Sequence, residues 1–184
     1  MQLTNRQTLG LSPARAIGIS LVAAALITLS AKTQVPFWPV PMTLQTMAVM
    51  AIAAALGPRL GLAAYLTYLG AGLAGLPVFA GSPERGIGLA YALGPTGGFL
   101  IGMALMALVT GWLAQGRALV GCMVAMLAGI ALVYACGLAW LSAFVPADKL
   151  LAAGFTPFIL GDLVKIVLAA LLIEGGLRLR ALRR

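Results

Sequence analysis

Long apolar runs, separated by short segments rich in glycine, proline and charge, dominate this 184-residue chain. They fall at 14–31, 43–56, 61–80, 97–113, 118–145 and 157–177. Most approach the roughly 20 residues that a helix needs to cross a hydrocarbon core about 30 Å thick. A soluble domain of this length could not hide so much apolar surface, because 62% of the residues are hydrophobic and only 9% are charged, with a mean hydropathy of +1.06. The expected fold is an all-α integral membrane protein. Six transmembrane helices form one compact bundle, a single membrane domain over 1–184.

The stretch Val35–Thr46, VPFWPVPMTLQT, resists that pattern. Pro36, Pro39 and Pro41 lack an N–H and fix φ, so no regular helix passes through them. Yet Val35, Phe37, Trp38, Val40 and Met42 make the segment too apolar to lie free in water. The run after it, Thr43–Leu56, would reach only about 21 Å as a helix, short of the hydrocarbon thickness. The proline segment therefore supplies part of the missing depth. Irregular backbone at that depth is tolerated where protein buries it or where it lines a cavity, so the segment is read as the wall or lid of a ligand pocket.

Six spans place both termini on one side. If that side is cytoplasmic, it carries Arg6, Arg15, Arg59, Arg117, Arg178, Arg180, Arg183 and Arg184, against Lys32, Arg85 and Lys149 on the other. Eight against three is the cytoplasmic excess of basic residues expected of a multi-pass protein of the plasma (inner) membrane. The first run could be a secretory leader, since Leu29-Ser30-Ala31 resembles a cleavage site, but its length favours a retained helix. The net charge of +8 follows the topology rather than forming a phosphate-binding face, so nucleic acid is not an expected partner.

Several chemistries are disfavoured. The chain has no histidine, which removes histidine-based general bases and Ser–His nucleophiles. Cys122 and Cys136 sit fourteen helical residues apart, about 21 Å, and cannot pair with each other. No spacing of cysteines and carboxylates resembles a metal site. The glycines of Gly94-Pro95-Thr96-Gly97-Gly98 lack the following lysine of a Walker-type loop and read as a helix start. No catalytic residue, metal or cofactor is expected.

Asp162 and Lys165, in FILGDLVK, are the charges that do not belong. Three apart, they share a helix face, and each costs ~3 kcal/mol at a bilayer centre. Two readings stand: an ion pair that fastens the last span to its neighbours, or a carboxylate that accepts ligand N–H groups beside an ammonium that donates. Thr43, Gln45 and Thr46 open the second run, and a glutamine there ties either to another helix or to a ligand. Trp38 is either an interfacial anchor or, with Phe37, part of an aromatic wall. Phe79 and Tyr91 are further candidates for that wall. Ala16, Ser20, Ala24 and Thr28 form a ladder of small residues every four positions, which lets another helix approach closely.

PFWPVPMTLQT, GPRLG, GLPVFAG, LGPTGG and GDLVK, in this order, resemble the BioY family, the biotin-capturing S components of energy-coupling factor (ECF) transporters. The resemblance runs from about residue 14 to 175. It implies a ligand, biotin, bound from the outer face, with the first loop covering it and Asp162 and Lys165 in the pocket. It also implies a transmembrane coupling subunit docked on the ladder of Ala16, Ser20, Ala24 and Thr28, together with ATPase subunits. Arg85 becomes a candidate partner of the biotin carboxylate. Biotin brings ureido N–H donors, a carbonyl, an apolar ring and a carboxylate, which suits aromatic walls with a few convergent polar groups. The expected function is biotin uptake by a binding subunit that is not an enzyme. The alternatives are a solitary proton-coupled or facilitated vitamin carrier and, more remotely, a small membrane transferase.

Overall fold

The computed structural model describes residues 11–35 and 39–182. Helix α1, Pro13–Lys32, begins on a proline, where the missing N–H is no loss. The chain then forms a minimal antiparallel ladder of β1 (Gln34–Val35) and β2 (Met42–Thr43), pairing Gln34 with Thr43 and Val35 with Met42. Phe37 and Trp38 lie outside the described residues.

Helix α2 covers Gln45–Leu73 but is broken at Gly57, whose φ of +81° and ψ of 177° are not helical. The break is a reversal. Residues eight apart in a straight helix stand about 12 Å apart, whereas a Cβ added to Gly61 would lie 2.8 Å from the Ala53 Cα. The two halves, 45–56 and 58–73, therefore run back along each other. Gly57 turns the chain because only glycine takes that φ without strain, and Pro58 opens the second half. The apolar run at 61–80 is helical only to Leu73; Gly75, with φ of +98°, and Pro77 follow and end it. The helix of the fifth run likewise stops at Leu141 rather than Val145.

The remaining elements are the short α3 (Gly88–Ala92), α4 (Gly97–Leu113), α5 (Leu119–Leu141), a 3₁₀ turn at Ala147–Lys149, the short α6 (Leu150–Gly154) and the long α7 (Thr156–Leu182). Helices α4 and α5 form an antiparallel pair whose backbones meet at glycines. A Cβ on Gly102 would stand 2.6 Å from the Val133 Cα, and one on Gly129 would stand 2.7 Å from the Met106 Cγ. On its other side α4 receives the reversal of α2, since a Cβ on Gly111 would sit 2.7 Å from the Pro58 nitrogen and 2.8 Å from the Gly57 carbonyl carbon. Helix α1 packs on α2, and α7 packs on α2 and α5.

By length and composition α1, α5 and the segment Ala147–Gly176 could each cross a membrane, as could α2 were its 29 residues not folded back at Gly57, with Gly97–Leu113 a shorter apolar helix. Large apolar side chains such as Val22, Trp112, Val120, Leu160 and Leu172 face outward, as lipid contact requires. One expectation changes. Ser20 and Ala24 are buried and Ala16 and Thr28 half-buried, so the small-residue ladder of α1 lies on the face turned to α2. Ile17, Leu21, Val22 and Leu29 occupy the outward face. Small residues serve this protein's own helix pair first, for the close-approach reason that made them stand out.

The contact of Gly111 with backbone atoms leaves no side chain to move aside. Gly111→Val should destabilise the purified protein by about 1–3 kcal/mol, read as a lowered unfolding midpoint in detergent. Gly18→Val is the control, since nothing lies within 4 Å of a Cβ there. Equal midpoints for the two variants would contradict the packing of α4 on the reversal.

Candidate ligand-binding site

The turn of α7 that carries Asp162 and Lys165 faces the start of α2 and the middle of α5, and all three contribute to one buried polar cluster. Lys165 Nζ lies 2.9 Å from Asp162 Oδ1. Thr46 Oγ1 donates to the same oxygen at 3.0 Å and stands 3.4 Å from Lys165 Nζ, accepting from it. The Tyr134 hydroxyl donates to Asp162 Oδ2 at 2.5 Å. Asp162 and Lys165 are 5% and 7% exposed, so each depends on these partners rather than on water.

A carboxylate has about four lone-pair positions and an ammonium three hydrogens. The cluster uses three of the former and two of the latter. Among the described residues, one acceptor position on Asp162 and one N–H of Lys165 are left without a partner. The two readings of this pair thus describe one arrangement: it fastens α7 to α2 and α5, and it still has hydrogen-bonding capacity to spare.

That capacity opens on a cavity of about 70 Å³, bordered by the arm Val40–Thr43, by Gln45 and Thr46 of α2, by Tyr91 and Thr96, by Phe99 and Met103 of α4, and by Tyr134, Phe158, Asp162 and Lys165. Small-molecule sites commonly hold about 300–1,000 Å³, so a ligand of that class would fit only with part of the wall displaced. The arm of 39–43 is the wall held by fewest regular hydrogen bonds, its ladder being two residues long. A wider opening of about 510 Å³ lies beyond it, between Pro39, Pro95, Phe144 and Lys149. Among the described residues, every one around that opening except Lys149 is apolar, without the convergent polar groups that orient a ligand.

Among the residues picked out from sequence, Asp162, Lys165, Thr43, Gln45 and Tyr91 come together around the cavity. Thr43 also accepts the Gln45 backbone N–H at 3.2 Å. Burial pushes the Tyr91 phenol up, offset in part by Thr96 and Arg85, and the ring faces the cavity uncharged. Phe79 does not border it. It is fully buried behind Tyr91, stacked on that ring at 4.8 Å. Arg85 is also elsewhere: its Nη1 donates to the Pro39 carbonyl at 3.0 Å. Lys32, at the end of α1, donates to the carbonyls of Phe79 and Ser82 and to the Ser82 hydroxyl at 3.0, 2.7 and 2.9 Å. Two cations thus brace the loop of 79–85 and, through it, Pro39.

Sequence reasoning passed over Tyr134. Its signal was a hydroxyl in the middle of a long apolar run, which needs a partner wherever it is buried. Which partner depends on the register of α5 against α7.

The BioY family model matches residues 4–182. This chain belongs to the BioY family. Within that family it is 40% identical over 163 residues to the biotin transporter BioY of Thermotoga maritima, covering 88% of this chain and 93% of the relative. It is 37% identical over 158 residues to the probable biotin transporter BioY of Pyrococcus horikoshii, covering 85% and 93%. The fold of this BioY chain matches the crystal structure of the S-component for biotin from an ECF-type ABC transporter with a TM-score of 0.77 and 28% identity, over 97% of this chain and 95% of the other.

Removing one member of a buried ion pair strands the other, at a cost of about 3–5 kcal/mol. Lys165→Met should therefore lower stability by that order, whereas the double variant Asp162→Asn/Lys165→Met should recover most of it. Unfolding midpoints of the purified proteins check this, and a double variant as unstable as the sum of the singles would show that the two charges are not coupled.

Proposed function

We propose that this chain is the biotin-binding S component of an ECF-type uptake system, resident in the plasma (inner) membrane. The observation that carries the reading is the spare acceptor and donor of the Asp162–Lys165 cluster, facing a cavity walled by Tyr91, Phe99 and Phe158 in a chain whose relatives are biotin transporters. The protein is a transport protein and not an enzyme.

The chain forms a single membrane domain that crosses the bilayer six times: by α1, by the two halves of α2, and by α4, α5 and α7. The halves of α2 are short for a full crossing, and the loops at their outer ends make up the depth. The basic residues place both termini in the cytoplasm and the proline segment outside. Biotin binds from the outer face between the proline segment, α4, α5 and α7. Asp162 accepts from a ureido N–H, Lys165 donates to an oxygen, and Thr43, Gln45 and Tyr91 complete the polar lining. Phe37 and Trp38 belong to the cover. Phe79 backs Tyr91, and Arg85, on the same face, ties the cover down. A coupling subunit, with ATPase subunits behind it, docks along α1, where Ala16 and Thr28 at the edges of the buried ladder are open to it.

Equilibrium binding of labelled biotin to purified protein tests the site. Wild type should bind saturably, and Asp162→Asn and Lys165→Met should each weaken binding by about tenfold or more, the loss of one charge-assisted hydrogen bond. Affinity unchanged in both variants would remove the cluster from the site. Uptake into proteoliposomes tests the energy source: transport should require the coupling and ATPase subunits with ATP. Accumulation by this chain alone, abolished by collapsing a proton gradient, would make it a secondary carrier.

A further inference from the structure

The reversal at Gly57 sets Gln45, at the start of α2, level with Tyr68 in its second half. Both are deeply buried, at 4% and 1% exposure. Among the described residues Gln45 Nε2 and the Tyr68 hydroxyl have no hydrogen-bond partner, although the two side chains lie beside each other. Buried polar atoms left unmatched are costly and rare, so each calls for an explanation.

Their surroundings supply one. Gln45 borders the cavity and Tyr68 does not. The Tyr68 ring is fixed by neighbours, edge-on to Phe79 at 5.6 Å and tilted to Tyr65 at 5.8 Å. Gln45 is therefore the movable partner, because the terminal torsion of a glutamine is broad. Nε2 carries two hydrogens and only donates. The Tyr68 oxygen can take one, which leaves the other for an acceptor in the cavity that Gln45 borders.

We propose that Tyr68 is a positioning residue that holds the Gln45 amide so that an Nε2–H donates to the ureido carbonyl oxygen of biotin; this rests on the biotin reading above. Gln45 is next in sequence to Thr46, which bonds Asp162. A donor and a carboxylate acceptor are thus offered from adjoining positions, as the neighbouring C=O and N–H of a cyclic urea require. A ligand carboxylate would also be an acceptor for Gln45, but it would meet the negative Asp162 nearby, and the Asp162–Lys165 pair as a whole carries no net charge to attract it.

The test uses the full chain in lipid nanodiscs and titrates three ligands: biotin, 2-iminobiotin, in which a protonated imine replaces the carbonyl oxygen near neutral pH, and biotin methyl ester, which lacks the carboxylate. Ratios of affinities on one preparation are insensitive to a misfolded fraction. Wild type should prefer biotin to 2-iminobiotin. Gln45→Met, similar in size but without the N–H, should weaken biotin about tenfold or more and shrink that preference by a like factor, leaving the biotin-to-ester ratio unchanged. Tyr68→Phe should shrink the same preference several-fold, and should add nothing in a Gln45→Met background. Equal weakening of all three ligands by Gln45→Met, or a Tyr68→Phe effect that persists in that background, would overturn the assignment. A change confined to the biotin-to-ester ratio would also overturn it and give Gln45 to the carboxylate. Wild type that binds none of the three would overturn the biotin reading itself.

Discussion

A carboxylate and an ammonium inside an apolar bundle are tolerable only together, and with most of their remaining hydrogen-bonding positions matched. Asp162 and Lys165 meet that demand by drawing Thr46 from α2 and Tyr134 from α5. Three helices that would otherwise be held by nondirectional packing thereby acquire one relative position. The spare acceptor and donor left on the pair are in register with the aromatic wall because the same contacts set both.

The arrangement depends in turn on how closely the helices approach. Apolar side chains have nothing to gain from leaving lipid for one another, so association rests on tight packing and a few polar contacts. Gly102 and Gly129 bring α4 and α5 together, and Gly111 lets the reversal of α2 press on α4. That reversal carries Gln45 and Thr46 back beside the second half of the hairpin and leaves their side chains at the cavity. Lys32 and Arg85 then hold the loop of 79–85 and Pro39 against this frame.

Much of this was legible beforehand, for identifiable reasons. Hydropathy marks the helices because burial in lipid is a property of composition. Prolines at 36, 39 and 41 and the Gly57-Pro58 pair mark where helix must stop, because their restrictions are local to the backbone. Asp162 and Lys165 stood out because ionised groups are costly in an apolar run wherever it packs. Small residues every four positions mark a close-contact face on α1, but sequence has no signal for which helix makes the contact. Phe79 and Arg85 are not among the described residues that border the cavity, because a loop's path decides whether its side chains reach it.

The sequence by itself therefore determined that the chain is helical and apolar enough for a membrane, where its helices break, and which buried charges need partners. These follow from the covalent limits of proline and glycine and from solvation, each acting on residues near in sequence. Only the tertiary structure decided that Tyr134 and Thr46 complete the cluster, that Tyr68 stands behind Gln45, and that α1 turns its small residues inward. Those facts depend on helix register and rotation. They are selected by close packing among residues far apart in the chain, and no local pattern encodes them.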